Sequence, residues 1–147
     1  VRGEAPAPQG RIEAPVGRDP RDRQRMAVVA GGREAVTEYR VLGHGSGYTL
    51  LSLRPRTGRT HQIRAHLAYL GLPIAGDLRY AGGIGPGGLQ RQFLHAAGLT
   101  LERPLDGRRL RAWSELPGDL AETLAVAGIQ AEGLPHGVGA GLEDADG

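Results

Sequence analysis

Apolar and polar residues alternate in several short segments of the chain, and this period of two is typical of half-buried strands. Glycine and proline residues bound these segments, as they do at hairpin turns. Two turns are predicted, one in the glycine-rich residues 43–47 and one at Asp106-Gly107. Pro15 limits the first segment to a short edge strand. Strands are predicted over residues 11–16, 35–42, 48–53, 92–101 and 109–113.

A different spacing follows the second hairpin strand. Ile63, Leu67 and Leu70 recur at i, i+4 and i+7, which predicts an amphipathic helix with one stripe facing the core. Thr60 is predicted to cap the N-terminus of this helix through its hydroxyl group. Gly71 is predicted to end it, because glycine readily adopts the left-handed conformation found after a helix.

A second helix, also short, is predicted over residues 117–127, with acidic residues early and leucines on one face. The order of strands, helix, strands and helix indicates an α+β fold with a mixed, largely antiparallel sheet and flanking helices. Residues 1–127 are predicted to form one domain or a piece of a larger domain. Residues 128–147 contain six glycines and no aromatic residue, so a disordered, acidic, glycine-rich tail is predicted there.

The composition excludes several classes of site. The 147 residues contain no cysteine, so disulfides and thiolate metal sites are excluded. No apolar run approaches the roughly 20 residues of a membrane span, and the first residues lack a signal-peptide pattern. We therefore expect a soluble cytoplasmic protein that makes no contact with membranes.

Charge is distributed unevenly along the chain. Residues 1–114 contain all 18 arginines and nine acidic residues, a net charge of +9. Residues 115–147 contain seven acidic residues and no arginine, a net charge of −7. A basic body suits a polyanion such as a nucleic acid. Composition alone equally allows arginines that are simply solvated, so both interpretations stay open.

Residues 17–28 form a polar segment in which four arginines are interleaved with Asp19 and Asp22. Arginine presents a planar fork of donors that fits phosphate oxygens, which favours a phosphate-contacting loop. The alternative is a surface loop of internal Arg–Asp pairs. The sequence gives only a slight preference for phosphate contact.

The densest group of polar side chains lies in residues 56–67, directly before and inside the first predicted helix. At about 100° per residue, Arg64 lies about 60° from Leu67 and therefore at the edge of the buried face. A charge at such an edge can be dehydrated enough for an ion pair to matter. The alternative is an arginine whose aliphatic stem covers the core.

Spacing argues against three familiar kinds of site. His61 and His66 lie about 140° apart around a helix and cannot share a metal ion, so no metal site is predicted. None of the serines lies in a nucleophile-elbow pattern. The glycine-rich turn of a dinucleotide-binding or P-loop fold is missing between any predicted strand and helix.

Residues 56–67 resemble the signature of the RluA-type RNA pseudouridine synthases. The resemblance runs from about residue 8 to about residue 125 and includes Gly76, Asp77 and Tyr80 in the segment after the helix. Its most specific part is Arg56-Thr57-Gly58-Arg59-Thr60-His61-Gln62-Ile63-Arg64-Ala65-His66-Leu67.

The resemblance implies the isomerisation of uridine to pseudouridine within RNA, without a cofactor, by a monomeric enzyme. In the family an aspartate in a His-Arg-Leu-Asp segment attacks a flipped-out uridine. That segment is absent from these residues, so we expect the C-terminal part of a catalytic domain, inactive without its nucleophile. Asp19, Asp22 and Asp77 do not replace it, since each has its own match in the family. Residues 17–23 resemble the branch acting on large-subunit ribosomal RNA, with transfer RNA as the alternative.

Roles for individual residues are implied by the same resemblance. Arg64 is the basic partner of the catalytic aspartate, which it would keep ionised and oriented. Ile63 is the apolar wall beneath the uracil ring. The residues expected to hold the loop and approach phosphate or base edges are Arg56, Arg59, His61 and Gln62.

Two further functions remain open on the sequence. The first is a non-catalytic RNA-binding module, supported by the basic body and the missing aspartate. The second is a structural or interaction domain, which would have no affinity for RNA.

Overall fold

The computed structural model describes residues 1–130 and the backbone of residues 141–144. Within these residues there are two α-helices, α1 (Gln62–Tyr69) and α2 (Gly118–Val126), and neither has the length and apolar character needed to cross a bilayer. The strands are β1 (Gln9–Glu13), β2 (Val16–Arg18), β3 (Met26–Val28), β4 (Val36–Gly45), β5 (Tyr48–Pro55), β6 (Gly98–Glu102), β7 (Arg109–Trp113) and β8 (Gly141–Asp144).

The central sheet has the strand order β1-β4-β5, and both of its pairs are antiparallel. The predicted hairpin is confirmed as β4 and β5, with a two-residue turn at Ser46-Gly47. Both turn residues have positive φ angles, 46° and 77°, which matches the right-handed twist of the strands. The register shifts between Val41 and Gly43, which marks a bulge in β4.

The predicted strand over residues 11–16 is divided in two. β1 pairs with β4, whereas β2 leaves the central sheet and pairs antiparallel with β3. Residues 17–28 are therefore not a loop throughout, because their two ends form the β2–β3 hairpin. Ala14 and Pro15 separate β1 from β2, and proline removes the amide that a continuous ladder needs.

The third sheet has the order β6-β7-β8, again antiparallel. The predicted strand over residues 92–101 is wrong in its first half, since only Gly98–Glu102 are extended and paired. Residues 93 and 94 instead pack partly buried against the core. The tail predicted over residues 128–147 falls mostly outside the described residues, and β8 lies within it.

Helix α1 lies between the central sheet and the β2–β3 hairpin. Leu67 is fully buried and packs in one cluster with Ile12 and Tyr39 of the central sheet. Ala65 packs in a second cluster that includes Val16 of β2. The predicted core-facing stripe is confirmed, and the antiparallel pairs with two helices confirm the α+β fold.

The two ends of α1 differ in how well the sequence predicts them. The helix begins at Gln62 after His61, which has a left-handed φ of 52°, and no side chain caps it, so the prediction of a Thr60 cap is wrong. At the other end the prediction is confirmed. Gly71 has a φ of 74°, and Leu72 N donates to Leu67 O at 2.9 Å, the bond of a Schellman motif.

Candidate functional site

The guanidinium of Arg64 is held by a carboxylate of this chain. Nε donates to Asp77 Oδ2 at 2.7 Å and Nη2 donates to Asp77 Oδ1 at 2.9 Å. The side chain of Arg64 is 15% exposed and that of Asp77 is 1% exposed. The helical spacing correctly places Arg64 at the edge of the buried face, but it gives no indication of Asp77 as its partner.

Asp77 is fixed from a second direction by backbone amides. Arg79 N and Tyr80 N both donate to Asp77 Oδ1, at 3.1 and 3.2 Å. Burial acts to raise the pKa of Asp77, but its bonds to Arg64 and to the two amides outweigh burial and lower that pKa. The pKa of Arg64 is raised, chiefly by its hydrogen bonds to Asp77. Both groups are therefore ionised at neutral pH.

Tyr80 connects this ion pair to the β2–β3 hairpin. The guanidinium carbon of Arg64 lies 4.6 Å from the centre of its ring, and that of Arg25 lies 4.8 Å from it. The Tyr80 hydroxyl accepts from Met26 N at 2.9 Å and donates to Met26 O at 3.0 Å. Sequence reasoning assigned Tyr80 no role beyond its place in the family signature.

His61 lies beside this group. Its Nδ1 is 3.2 Å from the Tyr80 hydroxyl, and the two rings meet edge to face at 87°. Partial burial lowers the pKa of His61, and the charges of Arg64 and Arg79 lower it further. A neutral imidazole therefore occupies a positively charged corner of the surface.

Gln62 holds the loop from inside the protein. Its Oε1 accepts from Thr57 Oγ1 at 2.7 Å and from Arg59 N at 3.0 Å. Its Nε2 donates to Val36 O at 2.9 Å and to Thr37 Oγ1 at 3.0 Å. Gln62 is only 4% exposed, so its amide is used within the protein and is not presented on the surface, where the sequence led us to expect contact with a phosphate or base edge.

His66 continues this buried network. Its Nε2 lies 2.9 Å from Ala14 O, which can only accept, so Nε2 carries the proton. Its Nδ1 lies 2.9 Å from Thr37 Oγ1. His66 is fully buried and links α1 to the β1–β2 junction, so it takes no part in an exposed site.

Of the remaining predicted residues, Arg56 and Arg59 are exposed and Ile63 is half-buried. Arg56 pairs with Glu38, with Nη2 2.9 Å from Oε2, and the hydrogen bond from Arg56 lowers the pKa of Glu38. Arg59 is exposed and donates from Nε to Glu34 O at 3.1 Å. Ile63 is half-buried and packs on the core cluster of Leu67. Ile63 and Arg64 are neighbouring residues of α1 and His61 immediately precedes the helix, whereas Arg56 and Arg59 lie on the exposed loop before it.

Asp77 is not available as a nucleophile. Both of its oxygens accept hydrogen bonds, and almost none of its side chain reaches solvent. Arg64 retains one guanidinium nitrogen, Nη1, that has no hydrogen bond to any residue in the described part of the chain. The site can therefore offer a fixed cation to an anionic group that approaches from outside.

Comparison with known proteins identifies similar chains. Residues 3–69 match the family model described as RNA pseudouridylate synthase. An uncharacterized RNA pseudouridine synthase from Chloroflexus aurantiacus is 53% identical over 115 residues, which cover 78% of this chain and 36% of that protein. The ribosomal large subunit pseudouridine synthase D of Haemophilus ducreyi is 39% identical over 127 residues, which cover 78% of this chain and 39% of that protein.

A solved structure has a similar fold. Human RNA pseudouridylate synthase domain containing 1 superposes with a TM-score of 0.67 and 25% sequence identity. The match covers 93% of this chain and 59% of the human chain. The chain spans 36% and 39% of the lengths of the two bacterial relatives, so it corresponds to a part of each of them.

Proposed function

Since the chain belongs to the RNA pseudouridine synthase family, we propose that it forms the Arg64-bearing part of an enzyme that isomerises uridine to pseudouridine in RNA. Large-subunit ribosomal RNA is the proposed substrate, supported by the names of relatives from Haemophilus ducreyi and Xanthomonas campestris. A cytoplasmic location is part of the same proposal and is supported only by the proposed ribosomal RNA substrate.

The geometry of Arg64 is the observation that carries this proposal. Asp77 holds Nε and Nη2, while Nη1 remains without a partner among the described residues. A second carboxylate can therefore meet Nη1 without displacing Asp77. A fixed guanidinium beside a half-buried carboxylate keeps it ionised and orients it for attack. Asp77 thus acts as a positioning residue for Arg64.

The nucleophile is proposed to come from a segment outside residues 1–147. In the family it is the aspartate of a His-Arg-Leu-Asp segment, and Asp77 is too deeply buried and too fully bonded to replace it. After attack, the bond between N1 of the base and C1′ of the ribose breaks and the base turns. A C5–C1′ bond then forms as the aspartate is released, the proton on C5 is lost, and N1 gains a proton. Product and substrate are isomers, so no other reactant is needed.

The neighbours of Arg64 receive supporting roles. Ile63 would form the apolar wall beneath the uracil ring, because it is half-buried on the same helix. Arg59 and Arg56 would approach phosphate groups from the exposed loop. His61, which is neutral, would contact a base edge without adding charge, and Gln62 would hold the loop in place.

The experiment compares arginine variants in the complete gene product that carries residues 1–147. Arg64→Lys should lower the single-turnover rate of pseudouridine formation about 100-fold, the order of magnitude for a lost preorganised electrostatic contact. The Kd for RNA should change less than about threefold. Arg91→Lys is the matched control, because Arg91 also meets an aspartate through two bonds but on the exposed surface.

Three outcomes would contradict the proposal. Equal losses of rate and of RNA binding in Arg64→Lys would make Arg64 only a phosphate contact. Pseudouridine formed by purified residues 1–147 alone would show that the nucleophile lies within them. If the complete product binds RNA but forms no pseudouridine, the protein is a non-catalytic RNA-binding module.

A further inference from the structure

The loop between β2 and β3 has a defined shape that its two aspartates create. Asp19 Oδ1 accepts from Arg21 N at 2.9 Å, and Asp22 Oδ1 accepts from Gln24 N at 3.0 Å. Each of these bonds closes a turn around an aspartate side chain. Two backbone bonds, from Asp19 N to Arg25 O and from Arg25 N to Asp22 O, both of 3.0 Å, cross the base of the loop.

The loop is also fastened to the segment that carries Asp77 and Tyr80. Arg79 Nη1 donates to Gln24 O at 2.7 Å, and the guanidinium of Arg25 lies over the Tyr80 ring. The Tyr80 hydroxyl bonds both backbone groups of Met26, the first residue of β3. The loop therefore keeps a fixed position relative to Arg64, whose guanidinium lies over the same ring.

The aspartates leave two arginines of the loop without a carboxylate. Asp19 pairs with Arg25, whose Nε is 3.1 Å from Oδ2. Arg21 and Arg23 are exposed, and no carboxylate of the described residues lies within 4.0 Å of their guanidinium groups. Arg18, which donates to Arg23 O at 2.9 Å, is exposed beside them.

We infer that Arg21 and Arg23 form a phosphate clamp that binds the RNA backbone next to the uridine presented to Arg64. The inference rests on the proposed function and names the contact that orients the RNA. Arginine forks match phosphate oxygens, and phosphate contacts fix the register of a bound strand. A loop that is already ordered loses little conformational entropy when RNA binds. The surface around Arg21 and Arg23 also carries the positive charges of Arg18, Arg79 and Arg64.

The test uses residues 1–147 and a fluorescein-labelled RNA stem-loop with uridines in its loop. Arg21→Gln/Arg23→Gln should weaken binding roughly 25-fold at about 0.1 M salt, because each lost single-strand contact lowers the slope of log K against log salt by about 0.7. The slope should fall by about 1.4 in total. The thermal unfolding midpoint should not change, because neither guanidinium makes a hydrogen bond or ion pair within the described residues.

Arg109→Gln/Arg111→Gln is the matched control. These two arginines are also exposed, also two residues apart and also without a carboxylate within 4.0 Å in the described part of the chain, but they lie on β7 of the third sheet. This control should change the Kd less than about threefold. An equal loss in both double variants would overturn the clamp, because it would show that only total charge attracts the RNA.

A second variant separates loop shape from charge. Asp19→Ala removes a negative charge, which by itself should strengthen the binding of a polyanion. It also removes the bond to Arg21 N and the ion pair with Arg25, so the clamp predicts weaker binding. Glu13→Ala, which removes the same charge outside the loop, should bind RNA equally well or better. Stronger binding by Asp19→Ala would contradict a preformed clamp.

The clamp and the proposed function can fail separately. Loss of RNA binding in the Arg21→Gln/Arg23→Gln variant can be measured whether or not the protein forms pseudouridine. Conversely, normal binding in that variant together with pseudouridine formation that depends on Arg64 would leave the enzyme intact and remove only the clamp.

Discussion

The carboxylate of Asp77 meets the guanidinium of Arg64 through two hydrogen bonds of 2.7 and 2.9 Å, where only 1% of the Asp77 side chain reaches solvent. Asp119 and Arg91 form the same bidentate pair through two bonds of 2.8 Å, but their side chains are 49% and 44% exposed. The chain therefore contains the same ion-pair geometry once buried and once exposed. Loss of the carboxylate charge should change the free energy of unfolding differently in the two pairs.

Replacing Asp77 by asparagine should destabilise the protein by about 3 kcal/mol, because a buried pair that loses one partner leaves an uncompensated charge. Asp119→Asn should leave the free energy of unfolding unchanged, since exposed pairs contribute little. Urea unfolding of residues 1–147 measures both. Similar losses in the two variants would mean that burial of Asp77 does not strengthen its pair.

Acid should remove the contribution of Asp77 to the free energy of unfolding. Its pKa in the folded protein is lower than its usual 3.8, so the unfolded state takes up the proton first as the pH falls. The stabilisation is complete above 3.8 and is lost as the pH falls through the lower folded value. The stability difference between wild type and Asp77→Asn should therefore be constant near neutral pH and shrink only below 3.8. A difference that shrinks already near neutral pH would contradict the lowered pKa.

His61 should add a second pH dependence at higher pH. Its pKa is lower than the usual 6.5, so between the two pKa values the imidazole is protonated in the unfolded state and neutral in the folded state. Stability should therefore fall as the pH drops from 6.5 toward the lower folded pKa. His61→Gln should lack this loss, which urea midpoints measured across the window would show. Parallel pH profiles for the two proteins would count against the prediction.

Gly76 positions Asp77 and should not tolerate a side chain. An added Cβ would collide with the carbonyl oxygen of Arg91, and the φ angle of Gly76 is +72°. Gly71 has nearly the same φ, +74°, with nothing within 4 Å of an added Cβ. Gly71→Ala should cost about 1 kcal/mol for the left-handed conformation alone. Gly76→Ala should cost about 3 kcal/mol because overpacking adds to that strain.

Thermal or urea unfolding of the two glycine variants separates the two effects. Equal costs would show that the Arg91 carbonyl moves aside without penalty. The same collision should displace Asp77, so Gly76→Ala should also lower the rate of pseudouridine formation in the complete gene product, whereas Gly71→Ala should not.

Replacing Gln62 should destabilise the protein far more than replacing an exposed glutamine. Gln62→Leu removes the acceptor of the Arg59 amide and of the Thr57 hydroxyl, and one buried unsatisfied group costs about 1–3 kcal/mol. We expect a loss of about 3 kcal/mol in the free energy of unfolding. Gln90→Leu, at an exposed position, is the control and should have little effect. A small loss in Gln62→Leu would mean that water replaces its amide.

Local spacing predicted those parts of the fold that depend on neighbouring residues. The β4–β5 hairpin follows from alternation and from Gly47, which accepts the positive φ of the turn. The end of α1 follows from Gly71 for the same reason. Errors arose where distant residues decide the outcome. Residues 92–97 alternate like a strand, but Phe93 N donates to Ala75 O and holds them against the core outside any sheet.

In the candidate site, too, some positions follow from local spacing and others depend on distant residues. The sequence by itself determined that Arg64 would lie at the edge of a buried helix face, because helical geometry relates it directly to Leu67. Only the tertiary structure decided which carboxylate meets it, because Asp77 is 13 residues away and arrives through a turn fixed by backbone packing. It also turned Gln62 inward and set the loop of Arg21 and Arg23 beside Tyr80, since those positions depend on which surfaces the folded chain buries together.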